Sequence, residues 1–265
     1  MKKHNEYYWD GRNERAKQAK VHTDEMSKRF PNEIAESIKN TVVYDSSFKP
    51  KGITEGDLGL DGVTCTVLQE DTVSAIFEKT EGKIAALNFA SYKEPGGGFL
   101  NGSRAQEECL CHESTLYNVL SQKMDYYEWN RANLNHALYK PRALYSSDII
   151  FEKNGIVKKC DVITCAAPNY SAASKFVTLE ENNRVLEGRI KFILEIAKDQ
   201  KVDTLILGAF GCGVFQQKPE VVARLFDKHI KSTFYNEKIN VIFAIIPPLP
   251  HQTNNLAPFI KQFNK

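Results

Sequence analysis

The stretch KIAALNFASYKEPGGGFLNGSRAQEE, residues 83–108, joins an apolar run to three consecutive glycines and then to two adjacent glutamates. The apolar run is typical of a buried β-strand. Ser103 and Gln106 have the spacing of a helix capping box. The pattern therefore places Gln106, Glu107 and Glu108 in the first turn of a helix. The order strand, glycine loop, helix predicts an α/β fold and marks this loop as the candidate active site.

Other apolar runs in the chain also have the character of buried strands. They are VTCTVL (63–68), VSAIFE (73–78), DVITCAAP (161–168), VDTLILGAF (202–210) and NVIFAII (240–246). Residues 180–199 and 218–232 have helical spacing, and Pro219 stands at the opening of the second stretch. Strands that alternate with helices predict a largely parallel sheet covered by helices on both faces.

The N-terminal region differs from this pattern. Residues 12–39 are rich in charge and carry apolar residues at broadly helical intervals, which Pro31 interrupts. We expect two helices ahead of the sheet, because proline ends or kinks a helix. The predicted organisation is an N-terminal helical accessory segment, residues 1–50, followed by one compact catalytic core, residues 51–265.

Composition limits the class of protein. The 265 residues are 42% hydrophobic and 26% charged, with a formal net charge of +2, as expected of a folded globular protein. Basic and acidic residues alternate without forming a basic stripe, which argues against direct nucleic-acid binding. No apolar run approaches the roughly 18 residues that a membrane span needs. We expect a monomeric cytoplasmic protein whose six cysteines are reduced thiols, with no cofactor and no metal site.

A second glycine-rich loop, GAFGCGVF at residues 208–215, follows one predicted strand and precedes a helix. In this context glycines let backbone N–H groups approach an anion, and a phosphate is the natural ligand. The loop lacks the Gly-Lys-Ser/Thr of nucleoside triphosphatases and the glycine spacing of dinucleotide-binding proteins. The alternative is a tight turn in which the glycines serve only positive φ angles.

The two adjacent glutamates are expected to do different work. Glu107 and Glu108 are separated by about 100° around a helix, so one can hold a substrate while the other handles protons. A helix dipole favours the anionic carboxylate in the first turn, which opposes a general acid. Burial or a nearby bound diphosphate would have to raise the pKa of such a carboxyl. The alternative is a solvated helix start with no chemical role.

Taken together, the motifs resemble those of the bacterial-type poly(ADP-ribose) glycohydrolases, a branch of the macrodomain fold. That family's signature is three glycines, six to eight residues, then Gln-Glu-Glu, and here seven residues separate Gly98 from Gln106. The upstream segment 88–91 is similar to the ribose-binding segment of macrodomains, and the loop 208–215 is similar to their diphosphate-binding loop. The resemblance implies a three-layer α/β/α macrodomain with a mixed, largely parallel central sheet.

Site roles follow from this resemblance by position. It implies that Glu108 is the catalytic acid, that Glu107 orients the ribose hydroxyls and that Asn88 holds the ribose. Phe215 would stack on adenine. Gly97 and Gly98 would line the diphosphate, and the loop segment 211–214 would wrap it from the other side. The full implied substrate-binding set comprises Asn88, Gly96, Gly97, Gly98, Gln106, Gly211, Cys212, Gly213, Val214 and Phe215.

The implied activity is hydrolysis of the O-glycosidic ribose–ribose bond of poly(ADP-ribose), with ADP-ribose as product. A protonated carboxyl can give its proton to the departing 2′-oxygen and later activate water, and this chemistry requires no metal. Two alternatives stay open. One is a module that binds ADP-ribose without turnover, for which two intact glutamates would have little use. The other is a hydrolase of mono-ADP-ribosylated protein or a related ADP-ribose derivative, which would differ in the cleft beyond the ribose.

Overall fold

The structure, a computed structural model, describes residues 2–50, 62–78, 82–250 and 253–264, with side chains in the first helix from residue 11 onward. Within these residues one sheet contains seven strands. They are β1 (Val42–Tyr44), β2 (Val63–Leu68), β3 (Ile84–Phe89), β4 (Ala143–Lys153), β5 (Ile156–Cys165), β6 (Thr204–Leu207) and β7 (Ile239–Ala244). Their order across the sheet is β1-β4-β5-β3-β6-β7-β2.

Strands β5, β3, β6, β7 and β2 run parallel, whereas at one edge β4 pairs antiparallel with β5 and β1 pairs antiparallel with β4. The sheet is therefore mixed and largely parallel, as predicted. Strand β3 lies in the middle, between β5 and β6. Because neighbouring parallel strands end at the same edge, the loops that follow β3 and β6 emerge side by side. These are the two glycine-rich loops of the sequence.

Helices cover both faces of this sheet. The described helices are α1 (Lys2–Arg29), α2 (Pro31–Asn40), α3 (Thr72–Phe77), α4 (Gln106–His112), α5 (Leu116–Leu120), α6 (Met124–Ala132), α7 (Tyr170–Ala173), α8 (Leu179–Asp199), α9 (Pro219–Thr233) and α10 (Leu256–Phe263). Successive residues of β3 point to opposite faces, so Leu87 belongs to the core cluster that contains residues of α8, α9 and α10, while Ala86 belongs to the cluster that contains residues of α1 to α6. The predicted three-layer α/β/α architecture is confirmed. No described helix combines the length and the apolar character that crossing a membrane would take.

The prediction of a strand at residues 73–78 was wrong, because this segment forms α3. The Asp71 carboxylate accepts the Ser74 N–H at 2.7 Å and caps the helix. Val73 and Ile76 then pack into the core beneath it. An apolar run of six residues fits a buried strand and a buried helix equally well, so periodicity alone could not separate the two.

The antiparallel hairpin formed by β4 and β5 was not anticipated. Its two-residue turn is Asn154-Gly155, with φ angles of 52° and 76°, and Lys153 pairs with Ile156 across it. Asn-Gly is the strongest short hairpin signal because both turn positions need positive φ. The sequence predicts only the C-terminal part of β5 as a strand.

Helix α1 packs against the outer side of the candidate loop. Arg12 donates from Nε to the Asn101 carbonyl at 2.8 Å, and Arg15 donates to the Gly102 carbonyl at 2.9 Å. Gly102 has a φ of 68°, and a Cβ there would lie 1.9 Å from the Arg12 carbonyl oxygen. Helix α1 therefore packs directly on the turn that follows the glycines.

The division of the chain at residues 50 and 51 stays a prediction. Residues 51–61, where the boundary falls, lie outside the described part of the chain. On its N-terminal side, helices α1 and α2 correspond to the two expected helices. Strand β1 also belongs to this side, and it pairs with β4 in the sheet. The N-terminal segment is thus joined to the core by sheet hydrogen bonds as well as by helix packing.

Candidate active site

Glu107 lies buried at the carboxyl end of β3, with 3% of its surface exposed. Its Oε2 accepts the Ser91 N–H at 2.6 Å, and its Oε1 accepts from Asn88 Nδ2 at 3.1 Å. Asn88 is fully buried and also contacts Thr164 on the neighbouring strand. The role of Asn88 in holding the ribose stays a prediction; its amide nitrogen donates to Glu107, and its Oδ1 is buried with no hydrogen-bond partner among the described residues.

Burial raises the pKa of the Glu107 carboxyl to about 8. The hydrogen bonds from Ser91 and Asn88 act in the opposite direction, because they favour the charged form, and the charge of Glu108 raises the pKa further. Burial outweighs the hydrogen bonds. A carboxyl in the first turn of a helix was expected to need either burial or a bound diphosphate to raise its pKa. Burial alone raises the pKa of Glu107.

The raised pKa of Glu107 makes stability depend on pH. The unfolded carboxyl ionises near its usual 4.5, whereas the folded one keeps its proton to about pH 8. Between these values the unfolded chain binds fewer protons, so the free energy of unfolding falls as pH rises. We expect Glu107→Gln to remove a few kcal/mol of this decline, since one pKa unit corresponds to about 1.4 kcal/mol.

Denaturant unfolding of both proteins at pH 5 and pH 8 measures the effect. Only the difference between the two pH values is diagnostic, because the substitution also changes the contact with Ser91 at every pH. Glu128→Gln, which alters an exposed carboxyl on α6, serves as the control. Parallel stability curves for wild type and Glu107→Gln would contradict the assignment.

Glu108 occupies the third position of α4 and is 6% exposed. Its Oε1 accepts the Gly98 N–H at 2.8 Å and its Oε2 accepts the Ala105 N–H at 2.9 Å. The predicted capping box at Ser103 and Gln106 is therefore incorrect, because the N-cap is Ala105, two residues later than that box requires, and Glu108 is the residue that bonds back to the N-cap N–H. The expectation that Gln106, Glu107 and Glu108 share the first turn is confirmed.

Gln106 was predicted to contact substrate, but its side-chain amide forms hydrogen bonds within the protein. Its Oε1 accepts the Phe89 N–H at 2.8 Å. Its Nε2 donates to the Leu87 carbonyl at 2.8 Å and to Thr72 Oγ1 at 3.1 Å. Both ends of the amide are thus used to fasten α4 to the end of β3, which fixes the direction of the two glutamates that follow.

The three consecutive glycines are required by close packing within the protein. A Cβ at Gly97 would lie 2.7 Å from Glu108 Oε1 and 2.8 Å from Glu107 Oε2. A Cβ at Gly98 would meet Ser103 Oγ at 2.2 Å, and one at Gly96 would meet the Tyr117 ring at 2.8 Å. Gly96 and Gly97 also have φ angles of 66° and 60°. The loop therefore brings both glutamates against one glycine, although they leave the helix in different directions.

The second loop, residues 208–215, stands at the end of β6 next to this arrangement. Phe210 at its base packs edge to face on Phe89 with ring centroids 5.8 Å apart. Cys212 is 8% exposed and packs with the core, so only its main chain is available to a ligand. Gly213 is exposed, and a Cβ there would meet open space. Val214 is 81% exposed.

Phe215 belongs to an aromatic wall beside the second loop. It is half-buried and packs against Tyr139 with ring centroids 6.3 Å apart. Tyr139 in turn stacks on Tyr92 at 4.2 Å, and Tyr92 follows Ser91 in the chain. The residue predicted to stack on adenine is thus connected to the segment that holds Glu107.

Several residues of this site were missed from the sequence. Thr164 is a polar residue inside an apolar strand, which is a readable signal for a buried hydrogen bond. Ser91 binds Glu107 through its backbone N–H, and a backbone group leaves no side-chain signal in the sequence. Tyr139 lies far away in sequence from both loops. Among the described residues, no three His, Cys, Asp or Glu side chains cluster as a metal site would need.

A comparison with family models matches residues 13–154 to the microbial-type PARG catalytic domain. PARG denotes poly(ADP-ribose) glycohydrolase. The match contains the glycine loop and both glutamates, but it ends before the loop at residues 208–215. No curated protein sequence matched the chain.

Solved structures extend the similarity over most of the chain. The poly(ADP-ribose) glycohydrolase of Thermomonospora curvata bound to the inhibitor ADP-HPD is 28% identical, with a TM-score of 0.82 over 95% of this chain and 100% of that one. The poly(ADP-ribose) glycohydrolase of Deinococcus radiodurans in complex with ADP-ribose is 29% identical, with a TM-score of 0.77 over 89% and 98% of the two chains. Both loops fall within a fold shared with these enzymes.

Proposed function

The chain belongs to the microbial-type poly(ADP-ribose) glycohydrolase catalytic domain family, and from this premise we propose how its residues divide the work of catalysis. It is a glycosidase that hydrolyses poly(ADP-ribose) and releases ADP-ribose. The observation that carries the proposed division is the convergence of Glu107 and Glu108 on Gly97. The two carboxyls have different surroundings, so they are suited to different roles.

Glu108 is the general acid in this proposal. It donates a proton to the 2′-oxygen as the bond between that oxygen and the anomeric carbon breaks, which leaves an oxocarbenium-like ribose. It then accepts a proton from the water that attacks the anomeric carbon. Its position supports the role, because the side chain is held at both oxygens by the backbone of Gly98 and Ala105. The negative diphosphate of the substrate would stabilise the developing positive charge.

Glu107 orients the ribose hydroxyls, and Asn88 acts through it. Because Asn88 is fully buried and donates to the Glu107 carboxyl, we propose that it positions this carboxyl. Gln106 likewise positions α4 through its bonds to β3. The substrate contacts are then left to the two glutamates, the main chain of the glycine loop and the second loop.

The diphosphate lies between the two glycine loops in this proposal. Gly213 tests the placement because its missing side chain faces open space. We expect Gly213→Val to weaken ADP-ribose binding about tenfold or more, equivalent to 1.4 kcal/mol, since the new side chain would fill the diphosphate position. Isothermal titration with ADP-ribose measures the change. Its matched control is Gly188→Val on α8, where space is also open and the backbone does not need a positive φ. An unchanged affinity for Gly213→Val would mean that the loop is a tight turn and not a diphosphate site.

Incubation with labelled poly(ADP-ribose), alongside a mono-ADP-ribosylated protein, tests the substrate. Chromatography of the products should reveal ADP-ribose released from the polymer. Release from the mono-ADP-ribosylated protein alone would favour the related hydrolase activity. If the protein binds ADP-ribose but releases none from either substrate, it is a binding module and not a hydrolase.

A further inference from the structure

A single 3₁₀ turn, Phe99–Asn101, lies between the three glycines and α4. The Gly98 carbonyl accepts the N–H groups of Asn101 and Ser103, both at 3.0 Å, so this residue closes the turn on its N-terminal side. The Gly98 N–H is also the group that donates to Glu108 Oε1 at 2.8 Å. A displacement of the turn therefore moves one of the two backbone donors that hold the proposed general acid.

The C-terminal end of this turn is bonded from outside. The last carbonyls of a helical turn have no partner within it, and a short 3₁₀ turn is weakly stabilised on its own. Here α1 supplies the donors, because Arg12 Nε bonds the Asn101 carbonyl at 2.8 Å and Arg15 Nε bonds the Gly102 carbonyl at 2.9 Å. Cationic side chains are favoured at such an end, where the carbonyl oxygens point outward.

The face of α1 that meets the turn is fitted to its main chain. Arg12, Arg15 and Ala16 share this face, because residues three and four apart lie on one side of a helix. A Cβ at Gly102 would lie 1.9 Å from the Arg12 carbonyl oxygen and 3.1 Å from the Ala16 nitrogen. No side chain at position 102 could fit between helix and turn, so the position of the turn depends closely on that of α1.

Helix α1 is also held at points remote from the turn. The Asn118 side-chain amide on α5 donates to the Thr23 carbonyl at 2.9 Å. In the last turn of α1, Arg29 forms an ion pair with Glu152 of β4 at 2.7 Å. Arg29 lies about 21 Å farther along the helix than Arg15, at 1.5 Å per residue. These contacts should keep α1 in place when a single arginine at the turn is altered.

We propose that Arg15 is a positioning residue for the general acid. Through the Gly102 carbonyl it holds the turn, and through the turn it holds the Gly98 N–H against Glu108. Arg12 acts in the same way at the neighbouring carbonyl. The assignment rests on the proposed role of Glu108, and it requires neither arginine to touch the substrate. Helix α1 would then contribute to the hydrolytic step and not only to stability.

The test is a double-mutant cycle between Arg15→Met and Glu108→Gln, with kcat measured on saturating labelled poly(ADP-ribose). Methionine keeps an apolar stem and removes the donor. Arg15→Met should lower kcat about tenfold or more where Glu108 is intact, because small displacements of catalytic groups have effects of this size. In the Glu108→Gln background the same change should leave the residual rate unaltered, since residues that act as a unit are not additive.

The matched control is Arg29→Met, which removes an arginine from the other end of the same helix and should leave kcat unchanged. Rates are compared where circular dichroism shows each variant folded. Arg15→Lys removes the Nε donor but keeps the charge, and it should give the same non-additive pattern with a smaller loss. It takes the place of Arg15→Met if that variant does not fold.

Two outcomes overturn the proposal. Equal losses in both backgrounds would mean that Arg15 acts on folding or on substrate binding and not through the acid. An undiminished kcat in folded Arg15→Met with Glu108 intact would mean that the turn keeps its place without the arginine. Failure of the proposed function looks different, because Glu108→Gln alone would then keep the wild-type rate.

Discussion

Glu108→Gln is expected to lower ADP-ribose release from poly(ADP-ribose) by roughly 10²- to 10⁴-fold, the usual contribution of a positioned acid and base. Glutamine has nearly the same shape, and its carbonyl oxygen can still accept one of the two N–H groups now bound by Glu108. It cannot give up a proton. The affinity for ADP-ribose should therefore change by less than about tenfold, or 1.4 kcal/mol.

Initial rates on labelled polymer and titration with ADP-ribose measure the two effects. Glu113→Gln is the matched control, because Glu113 ends the same helix and lies away from the glycine loop. Unchanged turnover in Glu108→Gln would remove that residue from the acid role. If Glu107→Gln were then inactive, the role would pass to Glu107, whose buried carboxyl has a pKa of about 8.

Gly97→Ala is expected to lower kcat/KM by about a hundredfold, because small displacements of catalytic groups have effects of this size. Alanine resists a φ of 60°, and its Cβ would stand 2.7 Å from Glu108 Oε1 and 2.8 Å from Glu107 Oε2. At least one carboxyl must then move. Because the displaced groups perform the reaction, activity should fall by more than stability alone would explain.

The control for this substitution is Gly188→Ala in α8, where an added Cβ meets nothing within 4 Å and the residue is exposed. It should leave kcat/KM unchanged and stabilise the helix slightly. Rates are to be compared at temperatures where circular dichroism shows both variants folded. Near wild-type activity in folded Gly97→Ala would mean that the two glutamates tolerate displacement, and it would disprove the convergence on which the proposed mechanism depends.

Much of the site could be predicted from its own stretch of sequence. The glycines and glutamates lie within residues 96–108, so local spacing sufficed to place them in one loop and one helix turn. What the pattern did not reveal was the partner of each polar atom. Gln106 was read as a substrate contact because it belongs to the motif, whereas its amide is bound to the backbone of β3.

The errors in the fold have a similar origin. Residues 73–78 are apolar enough to be buried in either conformation, and the choice of helix was made by the Asp71 cap and the core that α3 covers. The β4–β5 hairpin offered a local signal in Asn154-Gly155. The edge strand β1 offered almost none, because three residues acquire their role only by pairing with β4.

The sequence by itself determined which chemical groups are present, the strand or helix character of most long apolar and periodic segments, and that each of the two glycine loops follows a buried strand. These properties depend on side-chain shape and spacing over a few residues. Only the tertiary structure decided that Asn88 donates to Glu107 and that α1 packs on the turn after the glycines. Burial and its effect on the pKa of Glu107 arise from groups distant along the chain, because desolvation depends on everything that packs around a carboxyl.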